Sequence, residues 1–328
     1  MDWLALEFMQ RALLAAVITG LTAPAIGTYL VQRRLSLLGD GLGHLAVAGV
    51  GLAFLTGTAP LPLAVLVCVV GAVGIELLRE LGRTSGDVGL AILFYGGLSG
   101  GLLLASLAGQ GTGALSAYLF GSLLTINAGE LWIIGALAAV VLLVCLGLLP
   151  QLFAVSADEP FARTIGLPVR WYNVLVVALA AITVTVSMRT VGLLLVSALM
   201  VVPVATANHL VIGFRRSMLV AMGLGVLAAV SGTVGSFEFD TAPGALIVVI
   251  AIGLFALSWP VSLVIARRHA PAVELMDVQQ PLQHEMTEQH PHEHAQGCGH
   301  VAVTHGGHVD YIHDGHRHAA HEGHYDEH

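Results

Sequence analysis

Nine long, nearly uninterrupted apolar runs dominate the chain, at 8–32, 38–57, 61–80, 87–108, 130–150, 171–188, 191–212, 217–236 and 243–266. A run of about 20 apolar residues matches the hydrocarbon thickness of a bilayer. In lipid the backbone must satisfy its own hydrogen bonds, so such runs cross as helices. A membrane barrel would instead need apolar and polar residues in alternation. The fold class is therefore all-α: a polytopic helical membrane protein with eight or nine transmembrane helices. The count is nine if the seventh run crosses whole, and eight if Pro203 breaks it. Stretch 109–129, GQGTGALSAYLFGSLLTINAG, is too polar and glycine-rich to cross and is read as a short re-entrant or interfacial helix.

Charge supports this class and orients it. Only 10% of the 328 residues are charged, against roughly 25% in soluble domains. An ordinary cytosolic domain is excluded, and so is a nucleic-acid binder that needs a basic face. All 13 basic residues are Arg. Cytoplasmic loops carry the excess of basic residues. With nine passages and the C-terminus inside, Arg33, Arg34, Arg79, Arg83, Arg163, Arg170, Arg215, Arg216, Arg267 and Arg268 fall on the cytoplasmic side, and only Arg11 and Arg189 outside. The N-terminus lacks a basic n-region and is not read as a cleaved signal peptide.

Composition divides the chain in two. Residues 1–268 balance at +1 and hold only His44 and His209, whereas residues 269–328 balance at −9 and hold the other 14 histidines. Cys68 and Cys145 lie in apolar runs as small packing residues, and three cysteines make no disulfide framework. The glycines Gly89, Gly96, Gly97, Gly100 and Gly101 crowd one run, where small residues let helices approach closely in lipid.

Four constellations could carry chemistry. In SLLGDGLGH (36–44), Asp40 and His44 are four residues apart and share one helical face. Carboxylate plus imidazole suits a borderline divalent cation such as zinc or manganese. The competing reading makes Asp40 a helix cap and His44 an interior histidine. In QLFAVSADEPFARTIGLPVRW (151–171), Asp158 can cap a short amphipathic helix with Pro160 in its first turn, either a docking element or a linker. In VGLLLVSALMVVPVATANHL (191–210), Ser197, Thr206 and Asn208 can satisfy groups freed by Pro203, and His209 lies near the cytoplasmic end. His209 and, in the outer loop, Asp240 are secondary metal candidates.

The fourth constellation is the tail. It holds His290, His292, His294, Cys298, His300, His305, His308, His313, His316, His318, His321 and His324. Apolar residues there are too sparse for a core, which predicts disorder without metal. Dense histidine interleaved with Asp and Glu reads as a metal-binding tract, and imidazole favours zinc, copper and nickel over magnesium and calcium.

The stretches RRLSLLGDGLGHLAVAGVGLAF (33–54), LFGSLLTI (119–126), DEPFARTIGLPVRWYN (158–173), VGLLLVSALMVVPVATA (191–207) and DTAPGALIVV (240–249), in this order, resemble the membrane permease subunits of zinc/manganese/iron-type ABC importers, the zinc type most closely. The resemblance implies a homodimeric permease in the cytoplasmic membrane of a bacterium, embedded in lipid. A separate cytoplasmic ATPase subunit would drive it, and an extracytoplasmic metal-binding protein would feed it. It implies zinc, or a related divalent ion, as substrate, with no permanently bound cofactor and no nucleic-acid partner. Asp40 and His44 are implied as contacts of the transport path, and Asp158, Glu159, Phe161, Ala162, Arg163 and Gly166 as the ATPase-docking element. The chain itself has no P-loop and no Lys, so ATP hydrolysis by that route falls to the partner. The resemblance ends near the last apolar run and implies nothing about the tail. Two rival functions remain at this point: a gradient-driven secondary metal transporter with a His-rich extension, and a membrane-bound metal sensor or store.

Overall fold

The computed structural model describes residues 6–82, 86–110, 112–121, 127–269, 299–305, 308–313, 316–321 and 324–327. The chain divides into two compact units, Met1–Ala266 and Arg267–His328. The division falls two residues before the boundary read from composition.

Among its described residues, the regular elements of the first unit are all helical. Its elements are α1 Glu7–Gln32, α2 Leu38–Thr56, α3 Pro60–Glu80, α4 Gly86–Ala91, a π-helical turn Ile92–Gly96, α5 Gly97–Leu107, α6 Thr112–Leu119, α7 Ala128–Gly147, α8 Leu149–Ala157, α9 Glu159–Thr164, α10 Val169–Ser187, α11 Leu193–Leu210, α12 Phe214–Phe239 and α13 Pro243–His269. Among the described residues, eight helices are long and apolar enough to cross a membrane, counting the α4–α5 segment from Val88 as one. The seventh apolar run is α11, whose apolar stretch is shorter. It is not broken at Pro203 but continues to Leu210. The hydroxyl of Thr206 donates to Val202 O at 2.8 Å, one turn past the proline. The carbonyl that Pro203 frees is that of Leu199, which this bond does not reach, and Ser197 and Asn208 bond to side chains. Stretch 109–129 yields α6, whose eight residues span only about 12 Å at 1.5 Å per residue.

Apolar content alone cannot separate helices that face protein from helices that face lipid. Packing does. Of the span of α2, 67% is buried within the chain, against 22% for α7. Leu42, Ala46, Val47 and Val50 of α2 sit in the main core with Ile26 and Tyr29 of α1, and with Val177 and Val184 of α10. Trp132 and Leu143 of α7 and Leu103 of α5 remain exposed on the outside of the bundle, where lipid covers such side chains. Close approach depends on glycine at Gly97. A Cβ there would lie 2.5 Å from Leu45 N and 2.6 Å from the His44 carbonyl carbon. Only hydrogen at this position lets the start of α5 rest on the backbone of α2.

Of the second unit, the structure describes residues 299–305, 308–313, 316–321 and 324–327 beyond the end of α13. Its described residues form a four-stranded antiparallel sheet in sequential order, β1 Val301–His305, β2 His308–His313, β3 His316–His321 and β4 His324–Glu327. The sequence pairs Gly306–Gly307, Asp314–Gly315 and Glu322–Gly323 fall between successive strands. Gly-Gly and Asp-Gly pairs are favoured in two-residue hairpin turns, and local backbone pairing needs less apolar surface than a packed core.

Candidate functional site

Asp40 does not cap α2. The cap position is Leu37, which makes no side-chain capping bond, and Asp40 lies inside the first turn. Its carboxylate reaches across to α11 instead, where the Ser197 hydroxyl donates to Asp40 Oδ1 at 2.5 Å. One turn on, His44 is 7% exposed. Its Nδ1 is buried with no hydrogen-bond partner among the described residues. The π-helical turn carries Phe94 against the imidazole, with ring centroids 3.9 Å apart at 59°. An open pocket of about 410 Å³ leads to the carboxylate, lined by Leu37, Asp40, Gly41, Leu90, Ala91, Phe94 and Tyr95. The site is thus a carboxylate at an apolar-walled opening, with a buried imidazole one turn on, packed against Phe94.

Two such groups are too few to enclose a metal ion. Among the described residues, no group of three or more His, Cys, Asp or Glu side chains is placed to hold one. His209 pairs with Ser258, its Nδ1 lying 3.2 Å from the Ser258 hydroxyl, and its ring tilts on Phe255 at 5.0 Å. Asp240 ends α12 in the left-handed region at φ 49° and lines a separate pocket of about 360 Å³ with Phe8, Thr233 and Ser236. Neither joins Asp40 and His44. In the tail, His305, His308, His313, His316, His318, His321 and His324 lie on the strands and His300 just before them. His290, His292, His294 and Cys298 lie outside the described residues.

The loop after α8 forms the short helix its sequence predicts. Asp158 caps α9, accepting from Phe161 N at 2.9 Å, with Pro160 in the first turn. Phe161 and Ile165 are exposed, Arg163 projects beside them, and Gly166 follows at φ +83°. Two residues of the expected docking set are placed differently. Ala162 is fully buried with Val155 and Val169, so it anchors the helix. Glu159 turns inward: its Oε1 accepts from Asn173 Nδ2 at 3.0 Å and lies 3.3 Å from Arg33 Nη2. Arg33 also lies 3.9 Å from Glu76, which Arg79 approaches at 2.6 Å. Burial pulls the Arg33 guanidinium below its ordinary range, and Glu76 and Glu159 push it back up.

The sequence reading missed Ser197 as a partner of Asp40, and it missed the Arg33–Glu76–Glu159–Asn173 cluster. Arg33 entered it only as an orientation marker. Ser197 carried one signal, a hydroxyl in the first half of an apolar run whose other polar residues, Thr206, Asn208 and His209, cluster near its end.

Residues 5–262 match the family described as ABC 3 transport family. The chain is 31% identical over 257 residues to a manganese transport system membrane protein, MntC, of Halalkalibacterium halodurans, covering 78% of this chain and 88% of that protein. It is 36% identical to a chelated iron transport system membrane protein, YfeD, of Yersinia pestis, covering 77% and 85%. Among solved structures it resembles PsaBC from Streptococcus pneumoniae in complex with Fab, with TM-score 0.71 and 28% identity over 78% of this chain and 92% of that one.

Proposed function

The chain belongs to the ABC 3 transport family as a permease subunit, and from that premise we propose that it moves zinc, or a closely similar divalent cation, across the cytoplasmic membrane of a bacterium. A separate ATPase subunit powers it, and an extracytoplasmic binding protein delivers the ion. The observation that carries this reading is the pairing of Asp40, aimed by Ser197, with His44, whose buried Nδ1 lacks a partner among the described residues. A buried polar atom without a partner is costly, and a passing cation would satisfy it. Replacing part of the hydration shell by one carboxylate and one imidazole holds the ion loosely enough for release.

The two ligands of one chain argue for two chains. A tetrahedral zinc site takes four ligands, and a second copy presenting the same pocket would supply the other carboxylate and imidazole. Relatives are named for manganese and chelated iron, and the Asp–His pair serves manganese as well as zinc. The imidazole-rich tail favours zinc.

Phe161, Arg163, Ile165 and Gly166 form the exposed face that would meet the ATPase. Glu159, on the inward side of the same helix, links that face to Arg33, seven residues ahead of Asp40. A push on α9 would therefore reach the start of α2 through a charged contact. Orientation follows from the arginine bias, with the C-terminus cytoplasmic. The test is uptake into proteoliposomes holding permease and ATPase, with zinc and manganese in competition. Phe161→Glu should abolish ATP-driven uptake and co-purification of the ATPase while the permease still folds. Zinc-independent manganese uptake would overturn the zinc assignment, and full activity of Phe161→Glu would overturn the docking face.

A further inference from the structure

The helix that packs on the Asp40–His44 site is wound irregularly where it meets it. Between α4 and α5 the chain makes a π-helical turn, Ile92–Gly96, which holds one residue more than an α-turn. Such turns are rare and are frequently found at functional sites. The helix that follows is fixed in place, because close glycine contacts pin α5 to α2. A Cβ at Gly97 would lie 2.5 Å from Leu45 N, one at Gly101 would lie 2.6 Å from the Val47 carbonyl carbon, and one at Gly51 would lie 2.5 Å from Gly101 O. The end of the π-turn is held less closely. Tyr95 is 68% exposed, and a Cβ at Gly96 would meet nothing within 4 Å. Moving the extra residue along the helix re-aims each side chain it passes by about 100°, one residue of α-helix, while α5 stays where it is.

Phe94 is the side chain that this turn sets between the pocket and the imidazole. It lines the opening that reaches Asp40, whereas His44 is not among the lining residues. Its ring centroid lies 3.9 Å from that of His44, closer than the about 4.5–7 Å usual for aromatic pairs, so neither an ion nor a water fits between the two rings. Tyr95 backs Phe94 edge-on, at 5.3 Å and 75°. We propose that Phe94 is a shutter on the transport path: it separates His44 from the pocket that already exposes Asp40, and rewinding of the π-turn swings it aside. The assignment rests on the reading of Asp40 and His44 as contacts of that path. The two ligands are then engaged in order. An ion in the pocket meets the carboxylate first and keeps its remaining water. It reaches the imidazole only when the ring leaves. With the ring in place, the unpartnered Nδ1 of His44 stands behind apolar surface, and an apolar constriction closes a path to ions by excluding water.

The test is the rate at which diethyl pyrocarbonate modifies His44 in the full chain, metal-free and in detergent. Trypsin cuts only at arginine in a chain without Lys, so peptide 35–79 carries His44 alone and peptide 190–215 carries His209 alone. Mass spectrometry of the two peptides reads the site against His209, which is exposed, as an internal standard. In the wild type His44 should react far more slowly than His209. Phe94→Ala should speed His44 by about tenfold, the order expected for losing one close aromatic contact, and leave His209 unchanged. Phe94→Tyr keeps the ring and should react like the wild type. Leu93→Ala removes a buried side chain from the same turn, beside Gly41, and should also leave His44 protected. Should Phe94→Ala fail to fold, Phe94→Val opens a smaller gap and must act in the same direction. A wild-type His44 that reacts as fast as His209 would overturn the shutter, as would unchanged protection in Phe94→Ala or equal exposure by Leu93→Ala. Zinc uptake by Asp40→Ala tests the reading of the path separately, since the labelling of His44 needs no transport.

Discussion

Replacing Asp40 and Ser197 one at a time separates the ligand from the group that aims it. Asp40→Asn keeps the side-chain volume and an oxygen that can still accept from the Ser197 hydroxyl, now 2.5 Å from Oδ1. The fold therefore loses only the charge assistance of one hydrogen bond, about 1 kcal/mol. Transport loses an anionic ligand. Loss of an outer-shell partner of a metal costs about 10–100-fold, so loss of the ligand itself should lower uptake by at least about 100-fold. Ser197→Ala leaves the carboxylate but lets it turn. A hydrogen bond to a charged group contributes about 1.5–3 kcal/mol when buried. Asp40 is only partly buried, and discounting for solvent leaves about 1 kcal/mol, or about fivefold in uptake. The assay is the initial rate of zinc uptake in proteoliposomes, with thermal melting of the same preparations. The expected order is wild type, then Ser197→Ala, then Asp40→Asn, with melting temperatures close together. Equal defects in the two variants, or normal uptake by Asp40→Asn, would refute the division of roles.

Four further outcomes follow from named contacts. Glu159→Ala should destabilise the protein by about 1–2 kcal/mol, less than the usual cost of breaking a buried pair because Glu76 still faces Arg33 and Glu159 is partly exposed; Glu159→Gln, which keeps the acceptor for Asn173, should cost less, and melting curves compare the two. Gly97→Ala should cost about 1–3 kcal/mol through overpacking against the α2 backbone and lower uptake by shifting Phe94 off His44, whereas Gly100→Ala, at a position with nothing within 4 Å, should be silent in both assays. Glu130→Ala removes the carboxylate now 2.9 Å from Arg189, which is 6% exposed, and half of the capping box of α7, and should cost about 1–3 kcal/mol; the double change with Arg189→Met should recover only part of that in chemical denaturation. A single cysteine at position 215, in a protein also lacking Cys298, should react with a membrane-impermeant thiol reagent only in opened cells and one at position 58 in intact cells, Cys68 and Cys145 being buried.

The helices were legible because each apolar run is a local property of the chain. The short helix α9 was legible for the same reason, since Asp158 and Pro160 specify its start within three residues. The contacts that make the site were not. Ser197 and Asp40 are 157 residues apart, and Arg33 and Glu159 are 126 apart. Periodicity reports which face of a helix is apolar, not which two faces meet. In a membrane bundle even that signal fades, because lipid-facing and protein-facing residues are equally apolar. Asp40 could be read as a cap or as a ligand until α11 supplied the hydroxyl opposite it. In the tail, the Gly-Gly and Asp-Gly pairs between described strands are local signals for turns that a count of apolar residues passes over.

The two arginines expected on the outer side bear on the orientation in a way that counting cannot. Arg11 lies 2.7 Å from Glu7, and Arg189 lies 2.9 Å from Glu130. Four of the arginines on the opposite side are also paired: Arg33, Arg79, Arg163 and Arg170 each lie within 4 Å of Glu76, Glu80 or Glu159. Pairing by itself therefore does not separate the two sides. Arg34, Arg215 and Arg216 do, since they carry no ion pair among the described residues. A cation held by its own carboxylate crosses or stays with little net field acting on it, whereas an unpaired one feels the anionic inner leaflet and the membrane potential in full. Every described arginine without an ion pair lies on the side that also presents α9. The basic bias and the proposed docking face thus fall at the same end of the bundle, the end proposed to face the cytoplasm, one through charge and the other through exposed apolar surface.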